Sequence, residues 1–147
     1  MRWRFVDRID AFEPWRSIAG RKAASFEETC LCERFDRAGI LPETIVVESC
    51  VELIRWLVAG SSGFAQTSAV GEVEHFSFPG EARMGEVLSI AAEVVARDGS
   101  TLKAACRVSC KGRPVAEGAL SMNLMPMAEG FDRAMVEGTW RELYGKA

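Results

Sequence analysis

From Ile45 to Val58 the chain is apolar at nearly every position; only Glu48, Ser49, Glu52 and Arg55 interrupt aliphatic, aromatic and cysteine side chains. A helix that is apolar on most of its circumference must be buried on most of its circumference. Pro42 suits the first turn of such a helix and Gly60 its end. Glu48, Glu52 and Arg55 follow one another at spacings of four and three, so they share a single stripe. The pattern predicts a long buried helix with one charged seam.

Beyond Gly60-Ser61-Ser62-Gly63 the period changes from helical to two. Leu88, Ile90, Ala92, Val94 and Ala96 alternate with more polar neighbours, Asp98-Gly99 marks a turn, and Leu102, Ala104, Cys106, Val108 and Cys110 alternate again, which predicts an antiparallel hairpin. Gly112-Arg113-Pro114 reads as the next turn, and Ala116, Gly118, Leu120, Met122 and Leu124 form one face of a further strand. Glu72 to Phe78 reads as the strand that opens this meander. Upstream, Trp3 to Phe12 and Ser17 to Ser25 read as shorter strands separated by Glu13-Pro14-Trp15. The expected fold class is α+β, an antiparallel sheet wrapped around one long central helix. Residues 1–125 form that domain. Residues 126–147 form a C-terminal extension, in which Phe131 to Tyr144 suits an amphipathic helix with Phe131, Met135, Leu143 and Tyr144 apolar, although Gly138 weakens it.

Composition narrows the function classes. A chain of 147 residues with 48% hydrophobic content and a net charge of −3 is suited to one packed core and is unlike a disordered segment. The acidic balance and the lack of Lys/Arg clusters argue against a nucleic-acid partner. Glu48, Glu52 and Arg55 interrupt the longest apolar stretch, and Met-Arg-Trp-Arg opens the chain with no apolar signal region, so a cytoplasmic protein with no membrane partner is expected. Cys30, Cys32, Cys50, Cys106 and Cys110 contain no CxxC and have one histidine to help them, so neither a metal nor a cofactor is expected. Cys106 and Cys110 share the parity of the buried positions and read as small core side chains.

Phe5-Val6-Asp7-Arg8, Lys22, the loop from Ser25 to Gly39, Ile40-Leu41-Pro42 and the helix opening Ile45-Val46-Val47-Glu48 together resemble the β-hydroxyacyl-acyl carrier protein dehydratases. The resemblance resumes at Met84-Gly85-Glu86-Val87-Leu88, which is similar to that family's Pro-Gly-Asp-x-Leu turn, and ends near Met125. It implies a hotdog fold, a dimer with a continuous sheet, an acyl tunnel at the subunit interface, and acyl carrier protein or CoA thioesters of fatty-acid or polyketide-type synthesis as partners. Removing water from a β-hydroxyacyl thioester requires a base for the α proton, an acid for the hydroxyl and donors for the enolate oxygen. Family members use His, then Glu or Asp, then backbone amides near the helix start.

By this resemblance Glu48 is the helical carboxylate and the candidate catalytic acid, and burial in an apolar helix would suit it to that task. The alternative is an ion pair between Glu48 and Arg55 or Arg34. Glu52 falls where the family commonly carries Gln, so it joins Arg34 and Phe35 as a candidate substrate-binding residue. The family's His-Phe-Pro-Gly is replaced by Arg34-Phe35-Asp36-Arg37. A guanidinium has no acceptor and stays protonated, so Arg34 cannot take the α proton. It can hold an enolate, a phosphopantetheine phosphate or Glu48 itself, and the internal ion pair is the least demanding. Glu43 stands where the family has Gly, which suits the helix dipole and would repel an enolate. His75, the one histidine, reads as an interface or core residue. Phe35, Phe76, Phe78 and Trp56 either limit a tunnel or belong to the core.

The expectation is an acyl-thioester-binding protein that is deficient alone as a dehydratase, acting as a homodimer or as half of a heterodimer with a histidine-bearing hotdog subunit. A thioesterase using Glu48 as base and a non-catalytic acyl-binding module are the alternatives.

Overall fold

The computed structural model describes residues 4–26, 28 and 39–145. Two short strands, β1 (Arg8–Glu13) and β2 (Ser17–Ala23), precede the helix α1 (Glu43–Ser61). Four longer strands follow, β3 (Gln66–Ser77), β4 (Val87–Arg97), β5 (Thr101–Cys110) and β6 (Arg113–Pro126), and then a second helix, α2 (Arg133–Tyr144). The strands form one antiparallel sheet in the order β1-β2-β4-β5-β6-β3, with α1 against its inner face.

The period-two pattern produces that inner face. Leu88, Ile90 and Ala92 of β4, and Leu102, Ala104, Cys106 and Val108 of β5, are buried, while their immediate neighbours along each strand face outward or are only partly covered. From the helix, Val46, Cys50, Leu53, Ile54, Leu57 and Val58 enter the same core. Gly20 of β2 lies under the helix, where a Cβ would come 2.5 Å from the Arg8 carbonyl oxygen and 3.2 Å from Leu53 Cδ1. Only glycine permits that approach. The Cys50 and Cys106 thiols meet inside the core, and this contact, together with burial, holds the Cys50 thiol well above its ordinary pKa. Cys30 and Cys32 lie outside the described residues.

Several boundaries differ from the expectation, each for a local reason. β2 ends at Ala23, because the backbone beyond it is taken over by side chains and by the Gly85 turn: Ala23 N donates to Asp7 Oδ2 (2.6 Å) and Ala24 N to Glu86 O (2.9 Å). β1 begins only at Arg8. The β5–β6 turn is Lys111-Gly112, both residues with left-handed φ (50° and 75°), and Arg113 and Pro114 already belong to β6. Such a two-residue turn matches the twist of the strands it joins.

The four later strands are not a simple meander. β3 begins at Gln66, six residues before Glu72, and pairs with β6 at the edge of the sheet, leaving β4-β5-β6 as the meander. The segment between β3 and β4 carries the chain past the start of α1, where Leu41 N donates to Ala82 O and Ile40 bridges Arg83.

Gly60 does not end α1. The helix continues through Ser61, and the missing side chain at Gly60 instead makes room for Trp140, whose Cη2 would stand 2.8 Å from a Cβ there. Trp140 is the anchor of α2: its ring lies edge-on to Phe12 at 4.9 Å and within about 6 Å of Trp56, Phe64 and Tyr144. Asp132 caps this helix through Met135 N (3.0 Å), and Gly145 closes it with φ 63°. Leu143 is buried as expected, whereas Met135 is exposed.

Candidate functional site

The seam predicted on the central helix is present. Glu48, Glu52 and Arg55 are all partly exposed on α1, which is otherwise buried along most of its length. Arg55 reaches back two turns to Glu48, with Nη1 3.4 Å from Oε1, and its Nε donates to the Ser68 carbonyl oxygen of β3 at 3.2 Å. One guanidinium thus ties the helical carboxylate to the edge strand. Of the two ion pairs expected for Glu48, that with Arg55 forms. Arg34 and Phe35 lie outside the described residues, as do Asp36 and Arg37.

Burial, expected at Glu48, falls on Glu52 instead. The Glu48 side chain is 39% accessible in the single chain. Glu52 Oε2 accepts a hydrogen bond from Phe5 N (3.1 Å), so the N-terminal segment closes over it. Burial raises the Glu52 pKa above the ordinary carboxylate value, the Phe5 amide and the Trp56 side chain partly offset this, and the neighbouring charge of Glu48 adds to the rise. Two carboxylates one turn apart therefore sit in unequal surroundings, Glu48 more open to water and Glu52 more covered. That asymmetry is the means by which a pair of like groups takes different proton-transfer roles.

The other candidates separate. Glu43 is the first residue of α1 and lines a groove of about 450 Å³ with Phe78, Arg83 and Arg113. Trp56 belongs to the aromatic cluster around Trp140. Phe76 lies over Gly118 of β6, where a Cβ would overlap its ring, and stacks on Phe78 at 6.2 Å. His75 is exposed, with φ 49°, in an irregular stretch of β3 where the register shifts between Glu74 and Ser77. Such a bulge re-aims side chains along an edge.

One charged pair was not anticipated. Lys22 and Glu28 form an ion pair of 2.8 Å with side chains 1% and 6% accessible, and Ser25 Oγ donates to the same Glu28 oxygen at 2.7 Å. The signal was present in the sequence, since Lys22 shares the inward parity of Ile18 and Gly20 on β2. Among the described residues no group of three His, Cys, Asp or Glu is arranged to hold a metal, and no helix is long and apolar enough to cross a membrane.

No family model matches the chain. It is 28% identical over 92 residues to the 3-hydroxyacyl-[acyl-carrier-protein] dehydratase FabZ of Levilactobacillus brevis, a match covering 62% of each protein. The aligned region thus spans just under two-thirds of that relative. Among solved structures, a hot-dog-like protein from Thermanaerovibrio acidaminovorans superposes with a TM-score of 0.67 at 13% identity, covering 92% of this chain and 96% of the other. A hypothetical thioesterase with coenzyme A from Streptococcus pneumoniae superposes with a TM-score of 0.64 at 13% identity, covering 83% and 88%. The strand order, the central helix and the solved structures agree on a hotdog fold, and within that fold the chain is similar in sequence to FabZ dehydratases.

Proposed function

We propose that the chain binds an acyl thioester along the Glu48–Glu52 seam of α1, in a dimer formed through β3, and that it does not dehydrate such a substrate unaided. The observation that carries this reading is the seam itself. A helix buried along most of its length keeps its two carboxylates and one guanidinium on a side that stays partly open, and Arg55 links that side to the edge strand. β3 is twelve residues long and pairs on one side only among the described residues, with Val70 and Val73 39% and 51% exposed. A long edge with exposed valines is a template for pairing with another strand, and a partner placed there would wall in the seam.

Dehydration needs an acceptor for the α proton. Position 34 is arginine, and the one histidine of the sequence, His75, lies in the bulge of the edge strand. A histidine-bearing hotdog subunit supplies that acceptor in a heterodimer, with Glu48 as the carboxylate of the shared site. The test is hydration of a 2-enoyl thioester by the chain alone and mixed with such a subunit. Activity only in the mixture, lost with Glu48→Gln, supports the reading; activity of the mixture that is indifferent to Glu48→Gln overturns the role of Glu48.

One observation favours thioester hydrolysis as a second reading. The Glu48 side chain is 39% accessible, so water can reach its carboxylate and be directed at a bound carbonyl. Release of free thiol from acyl-CoA, abolished by Glu48→Gln, distinguishes it, because a dehydratase half leaves the thioester intact.

A further inference from the structure

We infer that Trp140, carried by the C-terminal helix α2, closes the far end of the Glu48–Glu52 seam against Trp56 and so limits the length of acyl chain that the seam accepts. The inference rests on the reading of that seam as the acyl-thioester site. Glu48, Glu52, Trp56 and Gly60 follow one another at spacings of four, which makes them one ridge of α1. All four are only partly buried, although α1 is otherwise buried along most of its length. The ridge is therefore the partly open side of the helix, and the N-terminal segment and α2 lie over it.

The cover thickens along the ridge. The Glu48 side chain is 39% accessible. At Glu52 the N-terminal segment lies across, with Phe5 N donating to the carboxylate at 3.1 Å, and the Trp56 side chain donates to the same carboxylate. Arg4 and Glu142 meet at 2.8 Å and tie that segment to α2. At the end of the ridge Trp140 stands over Gly60, with Cη2 2.8 Å from the place of a Cβ, and its ring lies 6.0 Å from that of Trp56 and 4.9 Å from that of Phe12. Between Glu48 and Trp56 the helix rises about 12 Å. An acyl chain that runs from a carbonyl at Glu48 toward the end of α1 meets the two indoles after that distance. Each methylene buried on apolar surface strengthens binding roughly fourfold. A methylene that must first displace Trp140 from Gly60 and Phe12 gains nothing. α2 lies beyond Met125, where the sequence resemblance ends, so this stop is a property of the extension.

Calorimetric titration of the full chain with 2-oxobutyl-, 2-oxooctyl- and 2-oxododecyl-CoA thioethers tests it. The wild type is expected to bind the dodecyl compound about tenfold or more weakly than the butyl one, and Trp140→Ala to tighten the dodecyl compound about tenfold while moving the butyl one by less than about twofold. Trp140→Leu keeps an apolar side chain over Gly60 and is expected to give a smaller gain of the same sign, which reads the limit even if Trp140→Ala loses the docking of α2. Phe64→Leu loosens the same aromatic cluster from a position off α1, and is expected to leave the length preference unchanged. A wild type that binds the dodecyl compound as tightly as the butyl one, a preference indifferent to both Trp140 variants, or one that shifts equally with Phe64→Leu overturns the limit. Should Glu48→Ala weaken all three ligands while the Trp140 variants move none, the seam stands and the limit falls. Should the Trp140 variants shift the preference while Glu48→Ala weakens nothing, the limit stands and the role of Glu48 in the seam falls.

Discussion

Lys22 Nζ and Glu28 Oε1 meet at 2.8 Å in a place almost closed to water, and the second carboxylate oxygen of Glu28 is buried with no hydrogen-bond partner among the described residues. Desolvation of two charges offsets much of their attraction, so such a pair contributes little net stability compared with apolar side chains of similar size. Removing one partner is a different matter. Lys22→Met leaves Glu28 buried and uncompensated, and a loss of about 3–5 kcal/mol is expected in urea unfolding. The double variant Lys22→Met/Glu28→Leu is expected to recover most of that loss; a double variant as unstable as the single one contradicts the account.

Gly60 and Trp140 provide a second test. On helix propensity alone, Gly60→Ala gains roughly 1 kcal/mol. Against Trp140 Cη2 at 2.8 Å the added methyl overpacks the site, and a net loss of about 1–2 kcal/mol is expected from the balance of overpacking and propensity. In a Trp140→Ala background the sign reverses and Gly60→Ala stabilises. A double-mutant cycle by thermal unfolding reads this coupling, and additive effects would show that the two residues do not meet.

Glu52 makes a prediction about pH. Its carboxyl is raised in the folded chain, chiefly by burial, so between the unfolded and folded values the folded state holds more protons and stability falls as pH rises through that window. Glu52→Gln removes the cost of the buried charge and can still accept from Phe5 N. The variant is expected to be more stable than wild type at pH 7, with the difference shrinking as pH falls toward about 4.3, the ordinary glutamate value. Guanidinium unfolding at several pH values measures it; a difference that does not vary with pH contradicts the raised carboxyl.

How much of this was legible in the sequence depended on whether the signal was periodic. The apolar run around Leu53 and Ile54 and the alternation around Ile90 and Ala104 announced α1 and the β4–β5 hairpin, because burial enforces those periods. The charged seam of Glu48, Glu52 and Arg55 was equally readable. Strand neighbours were not: nothing local in Gln66–Ser77 states that it pairs with β6 rather than β4, since that choice is made by the crossing segment around Ala82. Gly60 misled because a glycine near a helix end has two uses, termination and close packing, and only Trp140, distant in sequence, decides between them. The unequal burial of Glu48 and Glu52 escaped for the same reason, because Phe5 closes over one of them.

The central claim is that the Glu48–Glu52 seam binds an acyl thioester while the chain lacks the base for dehydration. Calorimetric titration of the full chain with a non-hydrolysable acyl-CoA thioether, followed by a hydration assay on the same sample with a 2-enoyl-CoA, tests it most directly. The account predicts saturable binding, weakened by Glu48→Ala and by Arg55→Ala, with no hydration until a histidine-bearing subunit is added. Absence of binding, binding indifferent to both substitutions, or full hydration by the chain alone would contradict it.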